Sequence, residues 1–212
     1  MKILALCATK GKGKTHMVKV ITDAIRRYSE PSSLGIPVIE YAFSRPIKEI
    51  AKIMFGWDSY QIEHHKEDVD HRYGISPRQF LQFMGTEVGQ ESIRNLSYMY
   101  DLNVGRNIWL MCFQRFIEQM NVPNGIVIVH DLRFPHEEKY LREHFDADKL
   151  FIWRVEPYYT DGRILGESED RHKSENLVPF VHCDHTVYNY IGNDEKTVKK
   201  LKERGLLWEL CS

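Results

Sequence analysis

The sequence predicts an α/β protein with a parallel sheet of five strands and helices on both of its faces. Two observations lead to this class. Short, almost wholly apolar runs recur along the chain, as expected for strands that are buried on both faces. Segments between them repeat apolar residues at three- and four-residue steps, which is the pattern of an amphipathic helix. Regular alternation of the two favours parallel strands joined by helices.

The elements follow one another along the whole chain of 212 residues, which we expect to form a single domain. The predicted strands are Lys2–Cys7, Val38–Phe43, Ile126–Val129, Leu150–Val155 and Thr186–Tyr190. The predicted helices are one with a stripe from Met17 to Tyr28, one from Pro46 to Gly56, one that starts at the capping box Ser76-Pro-Arg-Gln79, one with a stripe from Trp109 to Met120, and two that start near Pro135 and Asp194. The charged stretch 57–75 is predicted to be irregular.

A phosphate-binding motif lies between the first strand and the first helix. Residues 8–15, Ala-Thr-Lys-Gly-Lys-Gly-Lys-Thr, match G-x-x-x-x-G-K-[ST] at every fixed position except the first, where Ala8 replaces glycine. Glycines let backbone N–H groups turn towards phosphate oxygens at the positive end of a helix. Lys14 supplies a charge to the β- and γ-phosphates, and Thr15 a hydroxyl to Mg²⁺. The predicted ATP-binding residues of this region are Ala8, Lys10, Gly11, Lys12, Gly13, Lys14, Thr15 and His16.

A carboxylate at the end of the third strand is a second candidate for this chemistry. Asp131 comes two residues after the apolar run 126–129, at the edge where α/β sheets bind ligands. It could hold Mg²⁺ together with Thr15, or it could cap the following helix. Arg133, two residues further on, could pair with Asp131 or reach a substrate phosphate.

Arginines are expected in a site that transfers phosphoryl groups, because negative charge accumulates on the transferred group and its neighbours. The candidates are Arg78, Arg106, Arg133, Arg163 and Arg171, each with an exposed, solubilising role as its alternative. Two of them lie in the polar stretch 158–175, which we expect to form a mobile lid over residues 157–176. His64, His65 and His71 lack the spacing of a metal site, and Trp109, Phe113 and Phe116 suit a core better than a base-stacking platform.

The composition favours a cytoplasmic protein that acts on small nucleotides. A formal charge of −1 gives no electrostatic attraction to a nucleic-acid backbone. The sequence shows neither an apolar run of membrane-spanning length nor a signal peptide, so we expect no membrane partner. The four cysteines are far apart and contain no C-x-x-C pair, which predicts reduced thiols. The oligomeric state is left open, with a homodimer as one option.

Six segments in this order resemble the bacteriophage-type deoxynucleoside monophosphate kinases, a branch of the P-loop nucleoside monophosphate kinases. They are the phosphate loop, Pro46-Ile-Lys-Glu49, Ser76-Pro-Arg-Gln-Phe-Leu-Gln-Phe-Met-Gly-Thr-Glu87, Arg106 with Trp109, Val129-His-Asp-Leu-Arg-Phe134 and His172-Lys-Ser-Glu175. The resemblance implies a three-layer P-loop kinase fold with a lid. It also implies transfer of the γ-phosphoryl group of ATP, with Mg²⁺, to a (deoxy)nucleoside 5′-monophosphate.

The resemblance further implies roles for single residues. The catalytic set would be Lys14, Asp131, Arg133 and Arg171, with Arg163 on ATP and with Arg163 and Arg171 interchangeable in the lid. The acceptor would bind in a helical region over residues 44–122, and the acceptor-binding set would be Lys48, Arg78, Gln79, Gln82, Arg106, Trp109 and Glu175.

Two other functions fit the motif. A phosphomevalonate kinase would share the loop but would need no base pocket, whereas a nucleotide would use the aromatic and amide groups of Tyr73, Gln79, Phe83 and Trp109. A regulator that binds ATP without transferring phosphate would need neither the extra arginines nor a lid. The sequence does not distinguish which base is accepted, or deoxyribose from ribose.

Overall fold

The computed structural model describes residues 1–9, 11–29, 35–96, 104–120, 122–159 and 176–212. Its strands form one parallel sheet in the order β2-β3-β1-β4-β5, with helices around it, which confirms the α/β class. The strands are β1 (Lys2–Cys7), β2 (Val38–Tyr41), β3 (Ile126–Leu132), β4 (Leu150–Tyr158) and β5 (His185–Tyr190). Strand β1 therefore lies at the centre, and its carboxyl end leads into the phosphate loop.

The helices begin and end largely where the caps predict. They are α1 (Lys14–Ser29), α2 (Arg45–Phe55), α3 (Ser59–His64), α4 (Pro77–Gln82), α5 (Val104–Gln119), α6 (Pro135–His144), α7 (Asp194–Glu203) and α8 (Leu206–Cys211). Helix α4 continues as a π-helix over Phe83–Ser92 and a 3₁₀ turn over Ile93–Leu96, and a further 3₁₀ turn covers Val178–Phe180. Gly56 ends α2 in the left-handed conformation, as predicted.

Two predicted strand ends are wrong by two residues or more. Strand β2 stops at Tyr41 instead of Phe43, and β4 runs on to Tyr158 instead of Val155. Strand β3 runs to Leu132, one residue past the predicted end at His130-Asp131, so Asp131 lies at the carboxyl end of the strand as predicted. Strand β4 is longer than predicted because it pairs residue by residue with β5 up to Tyr158 and Tyr190.

The stretch 57–75 contains regular structure, contrary to the prediction. Helix α3 begins after Asp58, whose side chain accepts the Gln61 N–H at 2.7 Å in a reciprocal capping box. Ile62 and Trp57 are almost fully buried, and the Trp57 indole N–H donates to Asp70 at 2.8 Å. The segment looks irregular in sequence because its order depends on these longer-range contacts.

The chain divides into two compact units. Unit 1 comprises Met1–Tyr41 and Asn121–Ser212 and contains the sheet, with an apolar core between the strands and helices α1, α7 and α8. Unit 2 comprises Ala42–Met120 and has its own small core around Ala51, Trp57, Ile62 and Phe80. Its bounds are close to those predicted for the acceptor-binding region, whose role stays a prediction.

The chain contains no disulfide framework, as predicted, because all four cysteines are free: Cys7, Cys112, Cys183 and Cys211.

None of the helices within the described ranges combines the length and the apolar character that crossing a bilayer requires.

Candidate active site

The phosphate loop connects the buried end of β1 to the first turn of α1. Gly11 has φ +82° and Gly13 has φ +79°, a left-handed conformation in which a Cβ would be strained. The Met17 N–H donates to the Gly13 carbonyl at 2.9 Å, so the helical hydrogen bonding of α1 starts from this glycine. The loop thus has the conformation and the helix terminus that an anion site needs.

Ala8, at the first position of the motif, has a structural role of its own. It is 2 % exposed and belongs to the apolar cluster that includes Met17 and Val18 of α1. Its methyl group is therefore buried in the apolar core that also holds residues of α1. This packing accounts for alanine at a position where the motif has glycine.

The side chains of the loop point to different surroundings. The Lys14 ammonium donates a hydrogen bond back to the Ala8 carbonyl, so it bridges the two ends of the loop. Thr15, by contrast, is exposed in the first turn of α1. Lys10, also predicted to bind ATP, lies outside the described residues.

An ion pair and a histidine–carboxylate hydrogen bond flank the loop, and neither acidic partner was among the predicted site residues. Lys12 pairs with Glu156 of β4 at 3.2 Å, and His16 with Asp194 at the start of α7 at 2.8 Å. Both carboxylates lie at or beyond the carboxyl end of the sheet, where the rule that predicts Asp131 would also have pointed to Glu156. The positive charge of the loop is thus partly offset by the negative charge of these carboxylates.

Asp131 lies on β3, the direct neighbour of β1. Leu132 is the register partner of Cys7, so Asp131 sits beside the strand end from which the loop departs. Helix α6 begins at Pro135 with Phe134 as its N-cap, so the alternative that Asp131 caps this helix is wrong. One carboxylate and one hydroxyl, from Asp131 and Thr15, are hard oxygen donors of the kind Mg²⁺ uses alongside phosphate oxygens. The residues present fit that ion.

A buried carboxyl group supports the turn that carries Arg133. Glu137 Oε2 accepts the backbone N–H groups of Arg133 at 2.8 Å and of Phe134 at 3.0 Å. Burial raises the pKa of Glu137 from 4.5 to about 8, and the charge of Asp131 adds to the rise against the lowering effect of the two N–H groups. We therefore infer that Glu137 is largely neutral at neutral pH, next to Asp131.

Replacing Glu137 with glutamine is expected to change how stability depends on pH. In the unfolded chain this carboxyl ionises near its ordinary pKa of 4.5, whereas in the folded chain it keeps its proton up to about pH 8. Unfolding thus releases a proton between these values, and the stability contribution, complete below pH 4.5, is lost as pH rises through 8. Thermal unfolding should show the melting temperature of the wild type falling relative to Glu137→Gln by roughly 5–15 °C between pH 5 and 8.5.

The control for this experiment is Glu143→Gln, on the exposed side of the same helix. It should leave the shape of the pH curve unchanged. Parallel curves for the wild type and Glu137→Gln would show that Glu137 ionises normally and would contradict the inference.

Unit 2 holds most of the residues predicted to bind the acceptor. Arg78 lies in the first turn of α4, after a capping box in which Ser76 accepts the Gln79 N–H at 3.3 Å and Gln79 Oε1 accepts the Ser76 N–H at 2.8 Å. Its own N–H donates to the Lys66 carbonyl at 2.8 Å, and its half-buried guanidinium pairs with Glu67. Both the backbone and the side chain of Arg78 are therefore held by neighbouring residues of unit 2.

The other residues of this set have mixed surroundings. Lys48 pairs with Glu63 at 2.5 Å, Gln82 is half-buried, and Arg106 is exposed near the start of α5. Trp109 is 9 % exposed; its indole N–H donates to the Gly85 carbonyl at 3.0 Å and its ring covers Gly89, which supports the core alternative. The roles of all of them in binding stay predictions. Residues 160–175 of the predicted lid, with Arg163, Arg171 and Glu175, lie outside the described part of the chain, whereas Pro157 and Tyr158 belong to β4 and not to a lid.

A phosphate loop at the carboxyl end of a central parallel strand, beside an acidic residue on the neighbouring strand, is typical of the class of P-loop nucleotide-binding proteins. Comparison with known proteins narrows the class. The model of the family described as deoxynucleotide monophosphate kinase matches residues 15–204, so the chain belongs to that family. The match starts at Thr15, and the assignment of residues 8–14 therefore depends on the motif and the loop geometry.

Two viral relatives agree with the family. A protein of Acanthamoeba polyphaga mimivirus, provisionally named a deoxynucleotide monophosphate kinase, is 27 % identical over 147 residues, which cover 68 % of this chain and 69 % of that protein. The deoxynucleoside-5′-monophosphate kinase of Escherichia phage T5 is 31 % identical over 130 residues, covering 60 % of this chain and 45 % of the phage protein. Membership makes the chain a kinase of nucleoside monophosphates, which favours this function over a phosphomevalonate kinase and over a regulator without transfer activity.

Proposed function

We propose that the chain transfers the γ-phosphoryl group of ATP to the phosphate of a deoxynucleoside 5′-monophosphate, giving ADP and a deoxynucleoside diphosphate. The observation that carries the proposal is the phosphate loop at the end of β1. Lys14 of this loop donates to the Ala8 carbonyl, and Asp131 lies on the adjoining strand. The family match supports the acceptor class.

On the donor side, the loop supplies the positive groups that phosphates require. The N–H groups around Gly11 and Gly13 bind phosphate oxygens, and Lys14 exchanges the Ala8 carbonyl for the β- and γ-phosphates. This exchange replaces a hydrogen bond to a neutral carbonyl with one to an anion, which is the stronger type. Arg133, fixed through its N–H by Glu137, is the nearby guanidinium proposed to stabilise the charge of the transferred group.

Thr15 and Asp131 are the residues that would hold Mg²⁺. When bound with ATP, the ion neutralises charge on the phosphate oxygens. The exposed hydroxyl of Thr15 suits this role because it can reach a ligand without any rearrangement of the core.

On the acceptor side, we propose that Arg78 and Arg106 bind the monophosphate, with Lys48, Gln79, Gln82 and Trp109 around the rest of the nucleotide. A guanidinium binds phosphate oxygens through two parallel N–H bonds. In the free protein Glu67 occupies the Arg78 guanidinium, so the acceptor phosphate would displace this carboxylate. Carboxylate and phosphate are both anions that a guanidinium attracts, so we propose that the acceptor phosphate takes the place of Glu67 at Arg78.

The remaining proposals concern the surroundings of the reaction. A lid carrying Arg163, Arg171 and Glu175 would exclude water, because an open site would pass the phosphoryl group to water. We further propose that the chain acts on small nucleotides in the cytoplasm of an infected host, in keeping with the phage and mimivirus origin of its relatives.

Replacing Arg78 with alanine should weaken binding of the acceptor selectively. Hydrogen bonds to a charged group contribute enough that we expect the KM for the monophosphate to rise about 10- to 100-fold. The KM for ATP should change by less than about threefold, because the donor binds through the phosphate loop. Initial rates at varied concentrations of each substrate give both constants.

Arg115→Ala, which removes an exposed guanidinium from α5 of the same unit, is the matched control and should change neither constant. A rise in the KM for ATP alone would place Arg78 on the donor side instead.

The proposal is tested by a panel of acceptors in an assay coupled to ADP release. Deoxynucleoside monophosphates, their ribose counterparts and phosphomevalonate are each supplied with ATP and Mg²⁺, and again with excess EDTA. We expect ADP release with at least one deoxynucleoside monophosphate, loss of it in EDTA, and none with phosphomevalonate. Release with phosphomevalonate alone would overturn the proposed acceptor class.

A further inference from the structure

Asn189, near the carboxyl end of β5, is a buried amide whose hydrogen-bonding groups are unused. Its exposed fraction is 0 %, and neither Oδ1 nor Nδ2 has a hydrogen-bond partner in the described structure. Thr197, equally buried and close by, shows the usual arrangement. Its hydroxyl accepts the Tyr190 N–H at 3.0 Å and donates to the Asn193 carbonyl at 3.4 Å. Asn189 differs from Thr197 in that both of its side-chain polar atoms lack a partner in the described structure.

An amide of this kind destabilises the free protein. A buried polar group without a partner loses its hydrogen bonds to water and gains nothing in exchange. Leucine has nearly the same shape and would bury its side chain at no such cost. An asparagine at this position is thus poorly explained by the stability of the free state alone.

The amide lies against the phosphate loop. A Cβ built on Gly13 would overlap the Asn189 Nδ2 atom, well inside van der Waals contact. Asn189 thus touches the backbone of the second loop glycine, immediately before Lys14. It also lies near the carboxyl ends of the parallel strands, which is where sheets of this kind bind ligands. The unused amide is therefore aimed at the segment whose conformation determines phosphate binding.

We propose that Asn189 is a positioning residue of the phosphate loop, with a carboxamide that becomes hydrogen-bonded to the loop backbone only when nucleotide phosphates are bound. This inference rests on the assignment of residues 8–15 as the nucleotide phosphate loop. Lys14 leaves the Ala8 carbonyl when it binds phosphate, so the hydrogen bonds of the loop are rearranged at that moment. A carboxamide both donates and accepts, and it can therefore pair with either type of backbone group that the rearrangement presents.

The consequence is a difference between the two states. Hydrogen bonds that exist only in the bound state add to nucleotide affinity, whereas the unpaired amide lowers the stability of the free state. Removing the amide should therefore move the two properties in opposite directions. A side chain that merely fills space would move them together.

The test is Asn189→Leu, with binding measured at equilibrium by calorimetry using ATP with Mg²⁺ and, separately, ADP. We expect dissociation constants for both nucleotides about tenfold or more above those of the wild type. The melting temperature without nucleotide should be equal to that of the wild type or higher, and the upward shift that ATP produces should shrink.

Thr22→Val is the matched control. Thr22, on α1, is 5 % exposed and its hydroxyl is another buried group without a partner in the described structure, but it lies two turns beyond the loop. It should raise the melting temperature with nucleotide affinity unchanged. Asn189→Ala provides a second route in case leucine is not accommodated, and we expect the same loss of affinity from it.

Wild-type affinity in a folded Asn189→Leu or Asn189→Ala protein would overturn the inference. So would unfolding of both variants in the absence of nucleotide, since Asn189 would then be needed for the fold itself. The readout does not involve the acceptor: a wild type that binds ATP but phosphorylates no monophosphate would overturn the proposed function and leave this test valid. A wild type that binds no ATP would overturn both.

Discussion

Replacing Lys14 with methionine is expected to abolish phosphoryl transfer while the protein stays folded. Methionine keeps the length and the apolar stem of the side chain but removes the charge. The γ-phosphoryl group gains negative charge on its oxygens during transfer, and a preorganised cation is worth most at that moment. We expect kcat/KM to fall by about 10²–10³-fold or more. In the free protein the substitution removes the hydrogen bond from Lys14 to the Ala8 carbonyl, and one such bond stabilises the fold only modestly, so the melting temperature should change little.

Lys19→Met is the control for this variant, because Lys19 is an exposed lysine on the same helix. Initial rates and circular dichroism should show wild-type activity for Lys19→Met and native structure for both proteins. Undiminished activity in Lys14→Met would mean that residues 8–15 do not bind the donor phosphates.

Replacing Gly13 with alanine should have the second large effect. The left-handed conformation at Gly13, with φ +79°, costs an alanine about 1–2 kcal/mol. The new methyl group would also overlap the Asn189 amide, which is fully buried and has little room to move. The loop must therefore distort. We expect the dissociation constant for ATP to rise about 100-fold or more, from strain and overlap together.

Gly11→Ala separates the two causes. Gly11 has a similar φ of +82°, but a Cβ there would meet open space. It should weaken ATP binding about tenfold through strain alone. Equal effects of the two substitutions, measured by calorimetry, would show that contact with Asn189 does not restrict Gly13.

Local sequence signals account for most of the fold. Strand β1 and helix α1 follow from one apolar run and one stripe of apolar residues, and both are confirmed. The capping box at Ser76 and Gln79 is confirmed in both of its hydrogen bonds. These features are determined within a few residues, which is why a sequence without its structure is enough to predict them.

The misjudged segments depend on partners far away in the chain. Helix α3 is short and is anchored by the burial of Trp57 and Ile62 in the core of unit 2. The π-helix after α4 is a second example. There Gly89 allows the Trp109 ring to approach the backbone, and the indole donates to the Gly85 carbonyl. Nothing in the spacing of the apolar residues shows such contacts.

The residues of the candidate site likewise fall into those that local sequence signals predict and those that depend on distant parts of the chain. The loop and Asp131 are visible as motif and strand end, whereas the proximity of Glu156 and Asn189 to the loop emerges only from the strand order β2-β3-β1-β4-β5. That order places the carboxyl ends of β4 and β5 on the side of β1 opposite to β3. Sequence order alone does not establish which strands are neighbours, so these two residues could not be assigned to the loop in advance.

The stoichiometry of the products is the most direct test of phosphoryl transfer from ATP to a deoxynucleoside monophosphate. The full chain is incubated with ATP, Mg²⁺ and one deoxynucleoside monophosphate, and the nucleotides are separated by anion-exchange chromatography. We predict that ADP and the deoxynucleoside diphosphate form in equal amounts, and that ADP does not accumulate without the acceptor. ADP without diphosphate, or no ADP with any deoxynucleoside monophosphate, would contradict the account.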